Sequence, residues 1–153
     1  MLPEERLAAL GITLPPPPSA VGAYDPWVRT GNLVLTSGQL PWLDGELAYI
    51  GKLGDELIVD EGYQAARLCA INAIAQLKAA ADELSRIKRI VRLDGFVHSA
   101  TGFQSQAQVL DGASELLNEV FGAKGRHTRV ALGISEMPLN AAVQLSLTAE
   151  LAD

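Results

Sequence analysis

The stretch Gly125-Arg-His-Thr-Arg-Val-Ala-Leu-Gly-Ile-Ser-Glu-Met-Pro138, with Leu139 to Leu151 behind it, decides how the rest of the chain is read. Apolar and polar residues alternate on both sides of Pro138, so the run predicts two strands joined by a proline-containing turn, a hairpin that closes the chain. In the first strand Val130, Leu132 and Ile134 share one face, while Arg129, Ala131 and Gly133 share the other. An arginine flanked on its own face by Ala and Gly has open space around its guanidinium, which a small anion could enter. The competing reading is a rim arginine, solvated or paired to a carboxylate. In the second strand Val143, Leu145, Leu147, Ala149 and Leu151 alternate with Gln144, Ser146, Thr148 and Glu150. The apolar set belongs under helices. The other set is polar yet largely uncharged, which suits a subunit interface better than a face fully open to water, and a homo-oligomer is expected.

Working outward, a basic cluster (Arg86, Lys88, Arg89, Arg92) opens a long alternating strand, Ile87 to Ser99, in which Val91, Leu93 and Val97 oppose Arg92, Asp94 and His98. A helix is expected from Glu61 to about Ser85, with Asp60 as its cap and Asn72 making a local hydrogen bond inside it. A second helix is expected from about Gln104 to Phe121, ended by Gly122. Earlier, Ala23 to Thr30 and Leu33 to Ser37 read as strands around the hairpin signal Gly31-Asn32. A short strand follows near Leu47 to Gly51. Pro3 to Leu10 predicts a helix with proline in its first turn and Gly11 at its end. Leu14-Pro-Pro-Pro-Pro-Ser19 is then a stiff polyproline-like spacer. The result is one domain over residues 1–153, with residues 1–19 as N-terminal helix and spacer. Its class is α+β, a single sheet with helices packed on one face.

Composition narrows the function classes. Apolar residues make up 48% of the 153 and charged residues 20%, as in water-soluble globular domains. No apolar run approaches the roughly 20 residues of a membrane span. Acidic residues stand near Met1 where a secretory signal would be basic, so a cytoplasmic address is expected. The net charge of −6 and an aromatic content of 5% disfavour a nucleic-acid partner, which needs clustered cations and stacking platforms. Cys69, the single cysteine, reads as buried packing in an Ala-rich helix.

Four pieces together resemble the RidA/YjgF family, also called the endoribonuclease L-PSP family: Val21-Gly-Ala-Tyr24; Gly31-Asn-Leu-Val-Leu-Thr-Ser-Gly-Gln-Leu-Pro41; the Ala-rich helix through Asn72; and Arg129 to Pro138 with its following strand. They span residues from about 20 to 151, and the length matches a longer branch of the family. The resemblance implies a chorismate-mutase-like fold and a homotrimer with a ligand cleft at each subunit boundary. It also implies hydrolysis of reactive enamines and imines to 2-oxoacids and ammonia, with no metal or organic cofactor. Carried over by position, Arg129 would clamp the substrate carboxylate through its planar fork. Tyr24 would stand at the cleft mouth and Gly38 would lend backbone to the pocket, flanked by Ser37 and Gln39. The family's deaminases carry a glutamate six residues after the proline, to hold the attacking water. Here that position is Gln144, which can orient water but cannot take a proton. Two alternatives stand beside hydrolysis. One is non-catalytic binding of a small carboxylate metabolite. The other is RNA cleavage, against which the acidic charge counts. His98 and His127 are the only histidines, and His127 lies two residues from Arg129, where it could tune the pocket.

Overall fold

The computed structural model describes residues 1–153. Its elements are α1 (Pro3–Ala9), β1 (Trp27–Thr30), β2 (Leu33–Thr36), β3 (Trp42–Leu43), β4 (Glu46–Leu47), α2 (Val59–Ala81), β5 (Ile87–His98), α3 (Gln106–Phe121), β6 (Thr128–Ile134) and β7 (Val143–Leu151). Five strands form one sheet in the order β1-β2-β7-β5-β6, and β3 and β4 pair as a separate small hairpin. Helices α2 and α3 cover one face, which is the expected α+β layout. No helix is long and apolar enough to cross a membrane.

The closing pair of strands is not a hairpin. β5 lies between β6 and β7, parallel to the first and antiparallel to the second. The reason is the crossover through α3: a strand that follows a helix packed on the sheet returns parallel to the strand before it. β7 then crosses over the end of β5 to pair on its other side, between β5 and β2. The connection includes a short 3-10 turn at Pro138–Asn140, with Leu139 and Asn140 at positive φ.

Register assigns every side chain to a face. Leu93, Gly95 and Val97 of β5 pair with Leu147, Leu145 and Val143 of β7 and with Arg129, Ala131 and Gly133 of β6. This row lies under the helices. The open face carries Phe96 beside Gln144 and Leu132, and Asp94 beside Ser146 and Val130. Two register irregularities between Ile87 and Arg92 place Ile90, not Val91, in the core. A bulge shifts the alternation by one residue, which pattern reading cannot detect.

The core is a cluster of 30 buried residues running from Leu7 of α1 to Leu151. Small residues on α2, including Ala65, Ala66, Ala70 and Ala73, let the helix lie close to the sheet. α2 and α3 approach so closely that a Cβ on Gly112 would sit 2.0 Å from the Tyr63 carbonyl oxygen. Ile58 is the N-cap of α2, its N–H donating to the Glu61 carboxylate at 3.1 Å, so Asp60 lies in the first turn instead of capping the helix. It ends at Ala81, four residues short of expectation, because Asp82 turns the chain at a φ of 67°. Strand β1 starts only at Trp27, and Pro26 before it interrupts the ladder, leaving Tyr24 and Asp25 in a loop. The expected strand near Leu47 to Gly51 is reduced to β4, because Tyr49 and Gly51 both take positive φ.

Candidate functional site

Residues far apart in sequence converge on a cleft of about 310 Å³ at one end of the open sheet face. One wall is the end of the polyproline spacer, Pro18 to Val21. The floor is the Ser37–Leu40 loop, and Gln144 of β7 and Leu139 of the connection close the third side. Tyr24 stands at the mouth, about half exposed. Four of the residues read from the sequence, Tyr24, Ser37, Gly38 and Gln39, therefore meet Gln144 in one place.

The floor is built by side chains of α2 that sequence reading did not assign to it. Asn72 does not make a local hydrogen bond; its Nδ2 donates to the carbonyls of Leu40 at 3.0 Å and Trp42 at 3.1 Å. Gln76, one turn further on, donates from Nε2 to the Pro18 carbonyl at 2.7 Å. The only signal that could have found them is polarity on an otherwise apolar helix face at a spacing of four. Gln39 is nearly buried. Its backbone bridges to Leu145 and its Nε2 donates to the Ser37 carbonyl at 3.1 Å, so it supports the loop more than it faces a ligand.

Gly38 is required by close approach. A Cβ there would lie 2.7 Å from Gln144 Cδ and 3.0 Å from its Oε1, so only glycine lets the Gln144 amide come this close to the backbone. Ser37 Oγ donates to the Asp25 carbonyl at 2.6 Å and so offers lone pairs, not its proton, to the cleft. Tyr24 Oη accepts from the Val21 N–H at 3.4 Å, which leaves its proton free for a ligand. No Asp, Glu, Lys, Arg or His lines this cleft. Nor are three His, Cys, Asp or Glu side chains grouped anywhere as a metal ion would require.

Arg129 is not in the cleft. It lies on the helix side of the sheet, opposite to Gln144, and the space its Ala and Gly neighbours leave is occupied by α3. Arg129 Nη1 donates to Asp111 Oδ1 at 2.8 Å and to Ser114 Oγ at 3.2 Å. The alternation of β6 was read correctly, but which face the helices cover is a tertiary fact. Within one protomer Arg129 is thus paired with Asp111 and stands apart from Tyr24, Ser37, Gly38 and Gln39. His127 belongs to the same cluster: its Nδ1 is 2.6 Å from the Gly125 carbonyl and its Nε2 is 2.9 Å from Ser114 Oγ. The carbonyl can only accept, so Nδ1 donates to it. His98 is buried, with Nε2 at 3.2 Å from the Ser135 carbonyl. Cys69 is buried in the core, where burial pushes its thiol well above the ordinary value and keeps it from acting as a nucleophile.

Comparisons with known proteins agree with this architecture. Residues 4–151 match the family model described as "YjgF/chorismate mutase-like, putative endoribonuclease". The crystal structure of "a putative endoribonuclease" from Shewanella oneidensis MR-1 is 48% identical and superposes with a TM-score of 0.97, covering 99% of this chain and 100% of that one. Atu1372 of Agrobacterium tumefaciens, a protein of unknown function, is 42% identical with a TM-score of 0.92 over 98% of this chain and 92% of its own. Protein TCP17 of Trypanosoma cruzi is 42% identical over 147 residues, 95% of this chain and 92% of that protein. With Tyr24, Ser37, Gly38 and Gln39 gathered beside Gln144 in one cleft and nearly the whole chain matched, this protein belongs to the YjgF/chorismate mutase-like family, to which RidA gives its other name.

Proposed function

We propose that the cleft hydrolyses small reactive imines and enamines to 2-oxoacids and ammonia, with Gln144 holding the attacking water. The observation that carries this is the close approach of the Gln144 side chain to the bare backbone of Gly38, which sets a water-binding amide in the lining of the cleft. An enamine first tautomerises to its imine. Water then adds to the imine carbon, the nitrogen takes up a proton, and the resulting carbinolamine collapses to C=O as ammonia leaves. Gln144 Oε1 would accept from the water, and Tyr24 O–H would donate to the substrate. Such imines already react with water, so positioning alone supplies a useful acceleration without a strong base.

A second reading, a small-metabolite binder without chemistry, is favoured by one feature: Tyr24 carries the only titratable side chain lining the cleft. RNA cleavage draws less support, because the cleft has no cation to neutralise phosphates. The deciding assay is ammonia release from freshly generated 2-aminoacrylate. The native protein should exceed the spontaneous rate, and Gln144→Leu should remove the excess. Gln144→Glu, which adds a general base, should raise kcat by about 10²–10⁴-fold. Spontaneous rates with all three proteins would leave the binder reading.

The assembly proposed with this function is a homotrimer. Val28, Leu35 and Leu132 are exposed on the open sheet face, and association sheet-to-sheet would remove them from water. Light scattering should give about three times the 16.2 kDa chain mass. A stable monomer at micromolar concentration would refute it.

A further inference from the structure

We propose that Ser114 and His127 form a second, nucleophilic site on the helix side of the sheet, which hydrolyses small esters bearing an anionic acyl group. The site shares no residue with the cleft and does not depend on the imine reading. Asp111, Ser114 and Asn118 follow one another along α3 at spacings of three and four residues, so they lie on one stripe of that helix. The chain entering β6 sets Arg126, His127 and Arg129 against the stripe. These six residues line a depression of about 310 Å³ that contains no apolar side chain. The trimer proposed above associates through the opposite face of the sheet, so the depression stays open to water.

The geometry is that of an activated hydroxyl. Ser114 Oγ lies 2.9 Å from His127 Nε2, and His127 Nδ1 lies 2.6 Å from the Gly125 carbonyl. With Nδ1 donating to that carbonyl, the neutral ring keeps Nε2 as an acceptor directed at the serine hydroxyl. A nucleophile, a base within hydrogen-bond reach and a third group orienting the base are the parts that activate a serine. Arg129 adds a charge: its Nη1 donates to Ser114 Oγ at 3.2 Å and is held by Asp111 Oδ1 at 2.8 Å. A guanidinium therefore stands where negative charge develops as the hydroxyl loses its proton. A serine inside a helix can satisfy its hydroxyl on the carbonyl four residues earlier, but Ser114 commits its oxygen to residues outside its helix. Both Ser114 and His127 are half-buried, held in place and still reachable.

In the reaction Ser114 Oγ adds to the ester carbonyl carbon as its proton passes to His127 Nε2. The intermediate collapses by breaking the bond to the alcohol oxygen, which takes that proton and departs, leaving acyl-Ser114. Water then attacks the acyl carbon, His127 again carries the proton, and carboxylic acid and free serine result. Arg126 is exposed and forms an ion pair with no carboxylate of the chain. With Asn118 beside it, it suits a carboxylate on the acyl group, so the substrate class is half-esters of short dicarboxylic acids.

The test uses an ethoxy fluorophosphonate probe, in which a serine oxygen displaces fluoride from phosphorus, together with 4-nitrophenyl acetate and mono-4-nitrophenyl succinate. Native protein should gain one phosphonyl group, mapped to Ser114 by peptide mass spectrometry. It should also accelerate the succinate half-ester over its spontaneous rate more than the acetate. His127→Gln keeps a polar side chain but cannot take a proton, and it should slow both labelling and turnover by about 10²–10⁴-fold. Arg126→Gln should erase the preference for the half-ester. Folding of each variant is checked by circular dichroism, and if a variant unfolds, the native adduct and half-ester turnover still decide. No adduct in native protein, an adduct on another residue, or labelling at Ser114 that survives in folded His127→Gln would overturn the proposal. A half-ester preference that survives Arg126→Gln would overturn the substrate class.

Discussion

Replacing Arg129 separates the two faces of the sheet. The structure assigns this arginine to an ion pair on the helix side, so Arg129→Met should cost stability and leave the cleft working. Arg129 is 23% exposed and Asp111 47%, so the pair is partly solvated. A buried hydrogen bond to a charged group contributes about 1.5–3 kcal/mol, and exposed ion pairs contribute about 0.2–1 kcal/mol. Between these limits, and with the apolar stem retained by methionine, the expected loss is about 1 kcal/mol. For a chain of this size that lowers Tm by about 2–4 °C. The assay is thermal unfolding at one fixed protein concentration, since assembly would shift Tm by mass action. Asp111→Asn should be non-additive with Arg129→Met, because the two share one interaction. Imine hydrolysis should stay within about twofold of native, a change below the 1 kcal/mol scale of the pair itself. A hundredfold fall in kcat/KM with Tm unchanged would refute the reasoning and return Arg129 to a cleft, whether of its own chain or of a neighbour.

Gly38→Ala should displace Gln144 by several tenths of an ångström, because its new Cβ would lie 2.7 Å from Gln144 Cδ. Hydrolysis should fall by up to about 10²-fold while Tm changes little, since a glutamine side chain can move aside; unaltered kcat would detach Gln144 from catalysis. Gly112→Ala should be destabilising by about 1–3 kcal/mol in denaturant unfolding despite alanine's higher helix propensity, because the obstacle 2.0 Å away is backbone. Glu4 ties α1 to the end of α2. Burial tends to raise its pKa, but the Leu84 N–H at 2.7 Å and the Lys78 ammonium together hold it below its ordinary 4.5. The unfolded chain therefore binds this proton more readily, so the contribution is present above the ordinary value and lost as pH falls through the folded one. Glu4→Gln should lower Tm at pH 7 and match native once the pH falls below the lowered value; an equal deficit at both ends would remove the charge from the account.

The hairpin signal at Gly31-Asn32, the helices over Val59–Ala81 and Gln106–Phe121, and the alternation of β6 and β7 were legible because each is local. They depend on periodicity and on φ preferences that neighbouring residues alone express. The motif residues Tyr24, Ser37, Gly38 and Gln39 were legible as a resemblance, and the fold gathers them with Gln144. Three things were decided only in three dimensions. Strand order was one, since alternation on either side of Pro138 is the same whether β7 pairs with β6 or slots beside β5. The face of Arg129 was another: alternation says which residues share a side, but only the packing of α3 says which side is covered. The third was the support of the cleft by Asn72 and Gln76, whose partners lie 30 to 58 residues away. Sequence determines what each segment can form, and long-range packing determines which of its polar groups finds a partner and which is left free to meet a ligand.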